Sequence, residues 1–426
     1  MNRIILIGNG FDLAHGLPTR YEDFINWYWE KRVMDFCGNL TPISEDCLCT
    51  FKMTTHSNSC TAWNVFIFNY PKFINRPSGK DIITSIIQDS TNYEVVFSPF
   101  FKIIYDSIES KGWVDIENEY YRLLRDLITN PDDHNYTVSN LNFQLQYIQG
   151  LLTEYLTSLS LNEINHDTDI LKQIYSSIQY RDICVSQLHT YYDYVNNILH
   201  QGEMEYKRLL SKYNFPKDSI HFSWEDLKGL KQQYIEFSEE KGCKDIPEAY
   251  LKDLIYPESI LLLNFNYTGT ADKYGFPKVA TVNHIHGTLT KPDSMIFGYG
   301  DELDESYTQI LKQEDNECLR NIKSIKYLES SNYRKMLQFI ESAPYQIYIM
   351  GHSCGNSDRT LLNTLFEHRN CVSIKPYYHQ KEDDSDNYME IVQNICRNFT
   401  NMKLMRDRVV NKTFCEPLPQ NFINRK

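Results

Sequence analysis

No apolar run in this chain approaches the roughly 18 residues that a membrane-spanning helix requires, so no membrane contact is expected. Positive charge is in the minority, with 43 Lys and Arg against 56 Asp and Glu and a net charge of −13. That balance argues against a broad surface for nucleic acid or anionic lipid. No internal repeat and no low-complexity tract is present. A basic leader with a cleavage site is also missing before the first apolar strand, which makes the cytoplasm the expected location. Cysteine is not scarce, at 11 residues, but the paired C-x-x-C spacing of a zinc site is absent. Cys47 and Cys49, with Cys37, Cys60 and His56 nearby, form the only cluster. Reduced and mostly buried thiols are expected there, and no metal is predicted.

What is present begins at the first strand. Ile4-Ile5-Leu6-Ile7 runs directly into Gly8-Asn9-Gly10-Phe11-Asp12 and then Gly16-Leu17-Pro18. Glycine at 8 and 10 permits a sharp turn and a close approach to an anion, at which a following helix can aim its N–H groups. The third glycine of the dinucleotide fingerprint G-x-G-x-x-G is replaced by Leu13. Asp12 can hold a loop N–H or a ligand hydroxyl, but it repels a phosphate placed beside it.

Thr19-Arg20-Tyr21-Glu22 has the form of a capping box and predicts a helix to about Lys31. Residues 37–90 read as an irregular, cysteine-bearing excursion. From about 97 to 241, apolar residues recur at helical spacing, with a break at Asn130-Pro131-Asp132-Asp133. Beyond Pro257 short apolar strands alternate with helices. Strands are expected at 259–265, 279–285, 345–350 and 371–377, and a further one at 295–298. Such a pattern implies a parallel sheet covered on both faces, which the N-terminal strand must join. The expected organisation is a discontinuous α/β domain from residues 1–35 and 255–410. A mostly helical insertion occupies 36–254, and a tail follows at 411–426.

Ligands of such sheets bind beyond the carboxyl ends of the strands. Four of those ends carry polar groups: Gly8 to Asp12, Asn264-Phe265-Asn266-Tyr267-Thr268, His284-Ile285-His286-Gly287, and Gly351-His352-Ser353-Cys354-Gly355-Asn356-Ser357-Asp358.

Gly8 to Pro18 resembles the opening signature of the AbiH family of bacterial phage abortive-infection proteins. Residues 348–358 resemble that family's C-terminal signature, and Trp113-Val114-Asp115-Ile116-Glu117 resembles a motif of its helical middle. The same segments are more distantly similar to the sirtuin-like NAD-binding domain. That likeness implies a Rossmann-like (sirtuin-like) fold, with Gly8-Asn9-Gly10 to Gly16-Leu17-Pro18 as the opening loop. It places Asn266 near the nicotinamide ribose, His286 as a general base, and Gly351-His352-Ser353 against phosphate or ribose. Thr268 stands where the asparagine motif has an acidic residue, and the sirtuin zinc pattern and acyl-lysine channel are absent, so deacylation is not expected.

The cofactor-binding set implied is Gly8, Asn9, Gly10, Phe11, Asp12, Pro18, Gly351, His352, Ser353 and Asp358, with NAD as substrate or ligand. His286 and Asn266 are the catalytic pair, and Glu117 and His284 are further candidates. Histidine can take a proton from water or a ribose hydroxyl near neutral pH, and asparagine can orient either. The blander readings are a turn histidine at 286, packing for His284, a helix cap for Asp358, and a core tryptophan beside a surface charge for Trp113 and Glu117. Cys354 has no base assigned to it and reads as a small buried thiol.

The leading expectation is an anti-phage effector that binds NAD and hydrolyses its nicotinamide–ribose bond. It would answer to a phage-derived trigger and be gated by homo-oligomerisation. The alternative is a non-catalytic module that senses a nucleotide such as ADP-ribose or binds a partner. A nuclease is disfavoured by the acidic charge and by the lack of clustered metal-binding carboxylates.

Overall fold

The computed structural model describes residues 1–38, 43–54, 78–111, 114–131, 136–159, 165–213 and 256–420. Its strands are β1 (Asn2–Ile7), β2 (Ile43–Glu45), β3 (Cys49–Met53), β4 (Tyr93–Phe97), β5 (Ile260–Asn264), β6 (Ala280–His284), β7 (Tyr345–Met350) and β8 (Cys371–Tyr377). Five of them form one sheet in the order β6-β5-β1-β7-β8, and every neighbouring pair is parallel.

Alternate residues of β1 explain the two layers. Ile4 and Leu6 pack with Ile347 and Ile349 beneath the helices Asn332–Ser342, Arg359–Glu367 and Tyr388–Arg397. Ile5 and Ile7 point the other way, with Leu262, Tyr348 and Met350, against the helices Asn9–Ala14 and Thr168–Ile174. Since both faces are covered, the strands are continuously apolar instead of alternating. Arg3, fully buried within β1, is held by the carbonyls of Ile174 and Ser176 at 2.9 and 2.7 Å and lies over the Tyr348 ring. Tyr191 and Val195 pack beside Met1 and Val372, so residues 168–195 also cover the sheet.

The chain leaves β1 for β5 on one side of the sheet and later adds β7 on the other. The β1–β7 junction is therefore the topological switch point, where the loops diverge and leave a crevice.

Within 37–90 the expected irregular excursion holds regular structure. β2 and β3 form an antiparallel sheet with β4, which lies just beyond this stretch, and a helix Gly79–Gln88 starts from a Ser78 cap. The signal was short, since β3 buries only Cys49, Phe51 and Met53 and its partner β4 lies about forty residues away. The helix Tyr21–Gly38 packs here, and Trp29 contacts Phe51, Phe97 and Phe101.

Thr19 does not cap that helix. Its hydroxyl bonds Asn9 Oδ1, and the Asp23 carboxylate accepts the Arg20 N–H at 3.0 Å. Residues 295–298 form no strand; Phe297 and Tyr299 are instead buried among the insertion helices, with Tyr299 stacked on Tyr121 at 3.9 Å. The described cysteines are free thiols, while Cys60, His56 and the Cys37 side chain lie outside the described residues. So do Trp113 and the predicted helical stretch 214–241. No helix among the described residues is long and apolar enough to cross a membrane.

Candidate functional site

The loops after β1 and β7 interlock. Gly10 donates its N–H to the Gly351 carbonyl at 2.8 Å, and Phe11 donates to Gly8 at 2.9 Å. Gly351 sits at φ +76°, and a Cβ there would lie 2.0 Å from the Phe11 nitrogen. A Cβ on Gly8 would lie 2.5 Å from the His352 Cα. These glycines are thus required by the close approach of one loop to the other, a role the expected anion contact had not included.

Above this junction lies a cavity of about 690 Å³. It is lined by Gly8, Asn9, Gly10, Asp12, Asn266, His286, Gly351, His352, Ser353 and Asp358, and by Glu117 from the insertion helix Ile116–Thr129. Nearly all of the sequence candidates therefore converge on one space. Phe11 does not reach it; its ring is fully buried against His15 and Tyr274. Pro18 lines an adjoining cavity of about 470 Å³, which shares Gly10, Gly351, His352 and Ser353 with the first. His284 lines neither, because its ring is held between Asn264 at 3.1 Å and Asp272 at 3.0 Å.

A buried charge network forms the floor. Lys323, with no exposed surface, reaches Glu117 Oε2 at 2.9 Å and Asp358 Oδ1 at 2.8 Å. The other Glu117 oxygen accepts the Gly298 N–H at 3.0 Å. Asp358 does not cap the helix that follows it, as had been expected; no side-chain cap bond is made there. It faces inward and also meets His286 Nε2 at 3.2 Å and His352 Nε2 at 3.6 Å.

Burial alone would raise the Asp358 carboxyl, but the Lys323 ammonium and then His286 hold it well below the usual range. Burial likewise opposes a charge on Lys323, and Asp358 and Glu117 overcome it and raise the ammonium above its ordinary value. Glu117 goes the other way: burial lifts it, and Asp358 and Asp115 add to the lift against the pull of Lys323. Two carboxylates on one lysine are thereby driven apart, the pattern that separates a fixed anion from a proton carrier.

His286 takes its orientation from this network. Burial, and next the Lys323 charge, lower its pKa and favour the neutral ring. With an ionised Asp358 at Nε2, the proton belongs on Nε2, which leaves Nδ1 as the basic nitrogen. The Tyr327 hydroxyl also meets Nε2 at 3.1 Å, and Nδ1 has no partner among the described residues. His352 is oriented from its other side, since its Nδ1 accepts the Cys354 N–H at 2.9 Å. Phe265 wedges between the two rings, 5.2 Å from His286 and 4.1 Å from His352. Burial raises the Cys354 thiol far above the ordinary value, which suits an inert thiol.

On the opposite wall Asn266 donates to the Gly8 carbonyl at 2.9 Å and is itself braced by Asn264, whose Oδ1 accepts its backbone N–H at 3.1 Å. Thr268 stands where the sirtuin-like motif has an acidic residue. A carboxylate is nevertheless beside it, because its hydroxyl donates to Asp12 Oδ2 at 2.6 Å.

Sequence reasoning missed Lys323, Tyr327 and Arg397. Lys323 opens a four-residue helix in an irregular stretch, and nothing local distinguishes it from a surface lysine. Arg397 closes the helix Tyr388–Arg397 and is the cationic side chain lining the larger cavity. The strand-end rule does not point to it, since it is the last residue of the helix that follows β8.

No curated protein and no solved structure matches the chain. The family described as "Bacteriophage abortive infection AbiH" matches residues 4–379, which takes in the β1 loop, the insertion helix with Glu117 and the loop after β7. With nearly every strand and all of the cavity's lining except Glu390, Asn394 and Arg397 inside that match, the chain belongs to the AbiH family of bacteriophage abortive-infection proteins.

Proposed function

We propose that this protein carries out its abortive-infection role by binding a nicotinamide dinucleotide at the β1–β7 crevice and hydrolysing its nicotinamide–ribose bond. The observation that carries the reading is His286, tied at Nε2 to a buried, ionised Asp358, without a partner at Nδ1 among the described residues, and lining the same cavity as Asn266. Cleavage breaks the bond from ribose C1′ to the nicotinamide nitrogen, which departs as the neutral base. Water adds its oxygen to C1′ and yields its proton to His286 Nδ1, from which it passes to solvent. The cationic character that develops on the sugar is favoured by the carboxylates of the cavity, Asp12, Asp115, Glu117 and Asp358. Asn266 orients the water or a ribose hydroxyl through its carbonyl oxygen. Two adjoining cavities of about 690 and 470 Å³ suit a ligand with two nucleoside halves.

Purified wild type, His286→Ala and Asn266→Ala, each with and without phage lysate, are compared for NAD consumption. The expected result is turnover by the wild type and a loss of about 10²-fold or more in His286→Ala, with unchanged melting behaviour. Absence of turnover in every sample refutes the hydrolase. Retained binding of ADP-ribose in that case favours a nucleotide sensor.

A further inference from the structure

We propose that the Gly8–Asp12 loop receives the ribose on the far side of the diphosphate from adenosine, with Asp12 as the acceptor of its hydroxyl, and that the diphosphate lies away from this loop toward Arg397. This rests on the nucleotide reading above and specifies how the ligand is turned within that cavity.

Three observations carry it. The first is an unused acceptor. Asp12 lines the larger cavity and is only 1% exposed, and its Oδ1 accepts no hydrogen bond. Asn266 and Thr270 lie near enough to favour its ionised form, yet the bond it does make is from Thr268 to Oδ2. A buried acceptor without a donor, on a residue that lines a cavity, is costly unless a ligand donor completes it. A ribose hydroxyl is such a donor; a phosphate oxygen is not.

The second concerns the donors that a diphosphate would need. In this loop the Gly10 and Phe11 N–H groups are already consumed by Gly351 and Gly8. The open face of Gly8 and Gly10, which elsewhere admits a phosphate, is filled here by the His352 and Gly351 backbone.

The third is charge. A carboxylate beside the loop repels phosphate at short range. Arg397, exposed at the end of its helix, is the cation lining the cavity, and its partner is the neutral Asn394. The sugar is thereby assigned to Asp12 and the diphosphate to Arg397, two residues of one cavity lining.

Calorimetric titration of wild type, Asp12→Asn and Arg397→Gln with ADP-ribose and with ADP, which ends at the phosphate, tests this. Wild type is expected to bind ADP-ribose at least about 10-fold more tightly than ADP, a measurement that needs no variant. Asp12→Asn is expected to lose at least about 10-fold for ADP-ribose and less than about 2-fold for ADP. Arg397→Gln is expected to weaken both ligands. Equal wild-type affinities, an equal loss of both ligands in Asp12→Asn, or tighter ADP binding by that variant each overturn the proposal while leaving nucleotide binding intact. No binding of either ligand by the wild type removes the nucleotide reading together with the proposal.

Discussion

Replacing Asp12 by asparagine perturbs stability in a way that depends on pH, and the structure supplies both sign and size. Burial pushes this carboxyl from its ordinary 3.8 up to about 6, against the bond from Thr268 and the nearby polar groups of Thr270 and Asn266. The folded state therefore holds a proton that the unfolded chain has released between about pH 4 and pH 6. A raised folded-state value contributes stability that is complete below pH 4 and lost as the pH rises through 6. At ~1.36 kcal/mol per pH unit, the interval from 3.8 to about 6 amounts to about 3 kcal/mol. The asparagine variant lacks this loss. Its amide nitrogen, placed where Oδ1 now lacks a partner, carries a penalty of about 1–3 kcal/mol that does not vary with pH.

The variant is thus expected to be no more stable than wild type at pH 4, and to improve relative to it by about 3 kcal/mol by pH 7.5. Guanidinium unfolding of both proteins across that range provides the assay. Other buried acids, Glu117 and Asp358 included, titrate in both and cancel in the difference. Parallel stability curves, or a gap that closes as the pH rises, would refute the assignment of a raised value to a buried, ionisable Asp12.

Two further outcomes follow from the same site. Lys323→Met leaves Glu117 and Asp358 facing each other without their shared cation, and a loss of about 3–5 kcal/mol is expected at pH 8. That loss shrinks toward pH 5 as Glu117 takes up a proton, and denaturant midpoints at the two pH values read it; a pH-independent loss would argue against the network. Gly351→Ala places a methyl group 2.0 Å from the Phe11 nitrogen at φ +76°. A cost of at least about 2 kcal/mol is expected from strain and displacement, and a melting temperature equal to wild type would show that the loops do not interlock as described.

Much of the site could be read directly because it sits at strand ends. Wherever an apolar strand stops and polar or glycine residues begin, as after Ile7, Leu263 and Met350, the next few residues reach the ligand side of a parallel sheet. His286 and Asn266 needed only that rule and the motif likeness. The antiparallel sheet of β2, β3 and β4 escaped because each strand is too short for a decisive period.

Local pattern alone determined the parallel sheet, since runs such as Ile4–Ile7 and Leu261–Leu263 are stable only when buried on both sides. It also determined which loops face the crevice and to which family the chain belongs. Tertiary structure alone decided the chemistry of the floor. It brought Lys323 to Glu117 across 206 positions and to Asp358 across 35. It turned Asp358 from a helix cap into the anchor of two histidines, and tied the Gly10 N–H of the first loop to Gly351 just after β7. The physical reason is that a charge's worth depends on burial and on which partners lie within a few ångströms. Neither is a property of the neighbouring residues in the chain.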